Sequence, residues 1–220
     1  MAKHYAVVIG DVARSRAHPQ RTHLQERLVR TLNAVSAHLP TVQALQITIG
    51  DEFQGVFEDI GSALSATLQI PLELTVGTGG AETVSERTDL RFGIGWGTIP
   101  VLDTSRTPFA QDGPGWWGAR DAIDRVKKLE HKPEWPIWRA AFSADDPTLS
   151  SSVNAYLLCR DALLSRMDEE DTRIVLGLVR GENQTSIAKA LRVTQSAVSQ
   201  RLRRNGGYAI LRADQVWRQQ

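Results

Sequence analysis

Three carboxylates have the setting for chemistry: Asp11, Asp51 and Glu52. Asp11 closes the apolar run Tyr5-Ala6-Val7-Val8-Ile9-Gly10, and the other two sit in Ile47-Thr48-Ile49-Gly50-Asp51-Glu52-Phe53-Gln54-Gly55-Val56-Phe57. Two or three carboxylates a few ångströms apart cannot all stay ionised without a cation. Their hard oxygens suit Mg²⁺ or Mn²⁺, and one or two carboxylates plus phosphates is how Mg²⁺ is usually held at nucleotide sites. Arg14, Ser15 and Arg16 follow the first acid. They are placed to hold a triphosphate, helped by free N–H groups of the next helix. The plainer reading makes Asp11 and Asp51 turn-formers at strand ends; their matching Gly-Asp contexts favour the metal.

The elements that must position these groups can be read in order. Residues 5–9 form a continuous apolar run, which implies a buried central strand ending at Gly10-Asp11. Leu24, Leu28, Leu32, Val35 and Leu39 make one stripe of a helix that Pro40 stops. Residues 43–58 read as a hairpin with Gly50-Asp51 at its turn, where Gly tolerates φ > 0. Residues 60–74 read as a second helix that Pro71 ends or kinks, and residues 76–88 as a loop. In Leu90–Ile99, Gly93, Gly95 and Gly97 alternate along a strand, so something is expected to approach its backbone closely. A mobile stretch at 103–115 leads to Trp116-Trp117-Gly118, whose rings read first as core or interface residues and alternatively as a platform for a base, and to a helix over 119–130. Residues 131–152, with three prolines and a serine run, read as a linker. This order implies an α+β fold, a ferredoxin-like (palm) sheet with helices on one face.

Composition narrows the class. The chain has 220 residues, 41% of them hydrophobic and 23% charged, which fits globular proteins. It has no apolar run long enough for a bilayer and no signal-peptide pattern, so a cytoplasmic protein with no membrane contact is expected. The lone Cys159 excludes an internal disulfide and a cysteine-rich zinc site, and its apolar setting suggests a buried helix position. His18, His23 and His38 lack metal-ligand spacing, and no Ser-His-Asp order is apparent.

Charge is segregated. Residues 1–164 hold 16 Lys and Arg against 19 Asp and Glu, a net of −3, while residues 165–220 hold 10 against 6, a net of +4. Only the C-terminal end is therefore suited to nucleic acid. There, acids at 168–171 open a helix running to 179. A short helix spans 185–191, Arg192-Val193-Thr194 makes a three-residue turn, and Thr194 caps a helix over 195–204. Ala188 at the crossing, a buried Val193, and inward Val198 and Leu202 complete a helix-turn-helix pattern. Its second helix would offer Gln195, Ser196, Ser199, Gln200 and Arg203 to base edges, and Arg201 and Arg204 to phosphates, of double-stranded DNA. The plainer alternative is a helical bundle used for protein contact.

The segment Ile-Gly-Asp-Glu-Phe-Gln-Gly-Val-Phe resembles the metal-binding hairpin of class III nucleotidyl cyclases and diguanylate cyclases. Residues 91–97 look like their following strand, and Trp117-Gly118 like the Trp-Gly that opens their next helix. The whole chain is closer still to the SatD family: Gly-Asp after strand one, Gly-Asp-Glu-Phe-Gln, the glycine strand, Asp112-Gly113-Pro114, Ala119-Arg120 and a terminal helix-turn-helix. The cyclase resemblance implies that Asp11 and Asp51, with Glu52 nearby, hold two metals, and that Gly50 lies at the nucleotide. It also implies an asparagine and an arginine four residues apart to position the ribose and stabilise charge. Asp121 and Arg125 are the nearest equivalents here, with an acid in place of the amide, and Arg120 is a rival for the arginine's role. Ile49 replaces the first glycine of the diguanylate signature.

The expectation is a palm domain over residues 1–145 followed by a helix-turn-helix domain over residues 146–220. The function expected is a DNA-binding regulator, acting as a homodimer, whose palm domain binds Mg²⁺ or Mn²⁺ and a purine nucleoside triphosphate or other nucleotide. The alternative is an active nucleotidyl cyclase or nucleotidyltransferase, and a third option is a palm used only for dimerisation.

Overall fold

The computed structural model describes residues 2–13, 21–76, 88–103, 110–134 and 138–219. Strand β1 (His4–Val12) is buried from Ala6 onward and lies between two antiparallel neighbours. Helix α1 (Arg21–His38) buries Leu24, Leu28, Leu32 and Val35, the expected stripe. Strands β2 (Thr41–Ile49) and β3 (Glu52–Phe57) form the expected hairpin, with Gly50 at φ 66° in its turn. Helix α2 (Ile60–Val76), strand β4 (Leu90–Thr98) and helix α3 (Pro114–Leu129) follow. The five-stranded sheet has the order β2-β3-β1-β4-β7, in which β7 (Ala140–Ala144) runs parallel to β4. The first four positions of that order are those of the ferredoxin-like βαββαβ unit.

The sheet is covered on both faces, which corrects the expectation of helices on one. Alternate residues of a strand point to opposite faces. Ala6, Val8 and Val12 pack with α1 and α2, whereas Val7 and Ile9 pack with Ala119 and Ile123 of α3. Gly93, Gly95 and Gly97 explain how α3 sits there. A Cβ at Gly93 would lie 2.1 Å from the Ala119 carbonyl oxygen, and one at Gly95 would lie 2.0 Å from that of Gly115. What approaches the strand backbone is therefore helix α3.

Other departures have local causes. Pro71 lies inside α2, which runs on to Val76. A small antiparallel pair, β5 (Val101–Asp103) with β6 (Ala110–Asp112), brackets the first part of the stretch at 103–115, and α3 starts within it at Pro114, a residue favoured in a helix's first turn. The expected linker holds β7 and the start of helix α4 (Pro147–Leu164), capped by Asp146. Cys159 is exposed on α4, not buried. Most of the expected loop at 76–88 lies outside the described residues.

Four helices complete the chain: α5 (Glu169–Val179), α6 (Gln184–Leu191), α7 (Gln195–Arg204) and α8 (Gly207–Trp217), the last not anticipated. Leu68 and Leu72 of α2 join Ile174, Val198, Leu202 and Ile210 in one apolar cluster. Helix α2 is thus shared between the sheet and the C-terminal helices, which explains why every residue from 61 to 70 is buried.

Gly95→Ala should destabilise the fold by about 3 kcal/mol or more in denaturant titration, because backbone oxygen cannot move aside as a flexible side chain can. Loss below about 1 kcal/mol would mean that α3 is not seated on the strand as described.

Candidate functional site

Asp11 follows Ile9 by two residues and so shares the α3 face of the sheet. It pairs in register with Arg91 on β4, and Gly10 pairs with Phe53, so the next step sets Asp11 beside Glu52 on β3. Asp51 is in the hairpin turn, close enough for its charge to act on Glu52. The strand register alone therefore gathers the three acids at one corner.

Helix α3 delivers cations to that corner. Arg120 donates to both Glu52 carboxylate oxygens at 2.8 Å, and Lys127 Nζ lies 2.7 Å from Asp11 Oδ2. Arg120, Asp124 and Lys127, at i, i+4 and i+7, form one helical face. Arg91 reaches Asp11 Oδ1 at 3.4 Å and Glu130 at 2.6 and 2.9 Å. Hydrogen bonding from Arg120 outweighs burial and holds the Glu52 carboxyl below its usual range. A depressed folded-state pKa stabilises the fold above the unfolded value of 4.5, and that contribution is lost as pH falls through the folded value.

In this structure cations of the chain itself lie against two of these acids, Asp11 and Glu52. Asp51, however, has no ion pair or hydrogen bond among the described residues. Among the described residues the carboxylates of Asp11, Asp51, Glu52, Asp124 and Glu130 gather here with the cations of Arg91, Arg120 and Lys127. Among the described residues no group of three or more His, Cys, Asp or Glu could hold a metal. The carboxylates present would suit a cation that arrives with phosphates and needs only one or two protein carboxylates. Asp11 and Asp51 would hold it, with Lys127 giving way.

The other expected residues divide. Gly50 is at the hairpin tip. Arg14, Ser15 and Arg16 lie outside the described residues. Asp121 is exposed one position round from the Arg120 face, and Arg125 lines a groove with Ser143, Asp145 and Asn154 beside β7 and α4, away from the acids. Of Arg120 and Arg125, Arg120 is the one that reaches the acids. Trp117 is exposed and donates from its ring nitrogen to Asp112 at 2.7 Å. Sequence reading missed Lys127, whose spacing from Arg120 was visible, and Arg91, whose pairing with Asp11 needs the strand register. A separate cavity of about 130 Å³, lined by Thr67, Phe92, Arg160 and Asp161, belongs to the opposite face of the sheet.

At the C-terminal end, α6 and α7 are joined by Arg192-Val193-Thr194, with Arg192 left-handed at φ 57° and Thr194 capping α7 through Ala197 N–H. Ile187, Ala188, Val198 and Leu202 are buried; Val193 is only half-buried, not buried as expected. Gln195, Ser196, Gln200, Arg203 and Arg204 are exposed and Ser199 is partly so. Arg201 is drawn back onto α5: its guanidinium meets Asp168 at 3.0 Å, Asp171 at 2.8 Å and Glu170 at 2.5 Å, and these bonds raise its pKa further. That contact ties α7 to α5 and leaves Arg201 unsuited to the phosphate role expected of it.

A family model described as the SatD family matches residues 5–219, and the chain belongs to that family. No curated protein matches it in sequence. Among solved structures it is similar to a bacterial light-regulated adenylyl cyclase (14% identity, TM-score 0.48, covering 65% of this chain and 43% of that one). It is similar also to the adenylate/guanylate cyclase/hydrolase of Silicibacter pomeroyi (21% identity, TM-score 0.40, covering 55% and 69%). A third is the guanylyl cyclase domain of the RhoGC fusion protein of Blastocladiella emersonii (17% identity, TM-score 0.41, covering 56% and 74%). The fold assignment rests on the strand order and register above. No described helix is long and apolar enough to cross a membrane.

Lys127→Met should bind Mn²⁺ without nucleotide at least tenfold more tightly than the unaltered protein in calorimetry. An ammonium beside a cation costs several kcal/mol even at an effective dielectric of about 20. Equal affinities would show that Lys127 does not guard the acids.

Proposed function

We propose that this SatD-family protein is a DNA-binding regulator whose sheet domain senses a nucleotide. The observation that carries the reading is the exposed polar face of α7, offering Gln195, Ser196, Gln200, Arg203 and Arg204 beside a tight turn, while Arg201 anchors the helix from behind. Such a helix suits the major groove, with amides and hydroxyls meeting base edges and arginines meeting phosphates. A homodimer would present two copies to half-sites about 34 Å apart. In this reading residues 1–145 form the sensor and residues 146–220 the reader.

The sensor works by exchange of ion partners. Lys127 and Arg120 release Asp11 and Glu52 and take the phosphates of a purine nucleoside triphosphate or another nucleotide. A Mg²⁺ or Mn²⁺ ion bound with it supplies the charge that lets an anion approach the acids of this corner. Helix α2, packed on the sheet by one side and on α5 and α8 by another, shares an apolar cluster with α7 and is the route to the DNA-reading helices. Asp51, without an ion pair or hydrogen bond among the described residues, supports a second reading, an active nucleotidyl cyclase or nucleotidyltransferase in which Asp11 and Asp51 hold two metals.

Purified protein incubated with each NTP and Mn²⁺ should yield no cyclic product or pyrophosphate, while one NTP shifts its affinity for genomic DNA fragments several-fold. Turnover abolished by Asp51→Ala would establish the enzyme instead. Arg203→Ala should weaken fragment binding about tenfold; unchanged binding would remove α7 from the interface.

A further inference from the structure

Gln184 is the first residue of α6 and Gln195 the first of α7, and their side chains meet. Gln195 Nε2 donates to Gln184 Oε1 at 2.9 Å, and Gln184 Nε2 donates to the Tyr208 hydroxyl at 2.9 Å. The same hydroxyl lies 3.1 Å from Ser199 Oγ. Four polar side chains from α6, α7 and α8 thus form one hydrogen-bonded chain across the exposed face, and these bonds hold the Tyr208 hydroxyl below its usual pKa. Exposed amides are normally free to rotate, so a run of mutual bonds at this position is a constraint with a consequence.

A primary amide has two N–H donors and one carbonyl acceptor. Gln195 uses one N–H on Gln184, and while Gln184 keeps its own Nε2 on the Tyr208 hydroxyl a reversal of Gln195 alone would set two carbonyl oxygens against each other. In that orientation one N–H and the Oε1 acceptor remain at the exposed N-terminus of α7. Adenine is the base whose major-groove edge answers that pair, with N7 accepting and the N6 amine donating. Guanine offers two acceptors, N7 and O6, and would set O6 against Oε1; cytosine offers only a donor.

We propose that Gln195 selects the adenine of an A·T pair in the major groove, and that Gln184 and Tyr208 are positioning residues that hold its amide in the reading orientation. The proposal rests on the DNA-binding reading above and adds to it a base, a side chain and the pair that orients it. Ordering Gln195 before DNA arrives also removes part of the entropy cost that an unrestrained glutamine bears on binding.

The test is selection of full-length protein against a randomised duplex library, with sequencing of bound DNA, for the unaltered chain and for Gln195→Ala, Gln184→Ala and Tyr208→Phe. The unaltered chain should enrich a motif with adenine at one position per half-site. Gln195→Ala should lower preference at that position alone by about tenfold. Tyr208→Phe and Gln184→Ala should lower it there by a few-fold, with affinity for non-specific DNA and its salt dependence unchanged, which a merely structural loss would alter. A motif whose adenine preference survives Gln195→Ala, or a uniform loss at all positions, overturns the proposal. Enrichment of no motif by the unaltered chain overturns the DNA-binding reading itself, so the two failures are distinct.

Discussion

The seating of α3 on bare backbone governs the rest of the candidate sensor. With side chains at 93, 95 and 97 the helix would be pushed away from β4. Lys127 and Arg120 would then rise with it, out of hydrogen-bonding reach of Asp11 and Glu52. The glycine row ends at Arg91, the residue of that face which does carry a side chain, and its guanidinium spans Asp11 and Glu130. Steric allowance and charge placement are thus consecutive positions of one strand face.

The pairs at this corner differ in what releasing them costs. Arg120 and Glu52 are well hydrated, with 44% and 24% of their side chains exposed, so their bond is readily exchanged for a phosphate. Asp11 is 7% exposed, and stripping it of Lys127 without a substitute cation leaves a buried charge. A ligand that brings both an anion and a cation avoids that cost. On the opposite face, α2 carries Glu73, which is buried and paired with Arg180 of α5. Burial, the larger influence, raises the Glu73 carboxyl above its usual range. Its proton is held to higher pH in the folded chain than in the unfolded one, so this group's contribution to stability declines as pH rises above 4.5. A charge kept inside the contact between sheet domain and C-terminal helices makes that contact sensitive to what α2 does.

Local chemistry made much of this legible before any coordinates. The stripe of α1, the Gly50 turn, the Asp168 capping acid and the Thr194 cap are short-range signals, and each element stands where they imply. What failed was long-range. The glycines announced a close approach but not its partner, because a helix and a ligand make the same demand on a strand. Pro71 implies an end or a kink in the helix; α2 does not end there, and its burial helps to offset the bond that proline removes. Helix α8 opens at Gly206-Gly207, a pair that reads as a turn. Arg201 looks like its exposed arginine neighbours until the acids of α5 fold against it. At the sensor corner the acids were visible one by one, while Arg91 and Lys127 came to them only through strand register and helix seating.

The central claim is an exchange of partners at Asp11. The most direct measurement is a crystal structure with a non-hydrolysable nucleoside triphosphate and Mn²⁺, located by its anomalous signal. The account predicts manganese between Asp11 and Asp51, with Lys127 turned from Asp11 to a phosphate oxygen. Nucleotide bound elsewhere, with the Lys127–Asp11 pair intact and no manganese at Asp51, would contradict it.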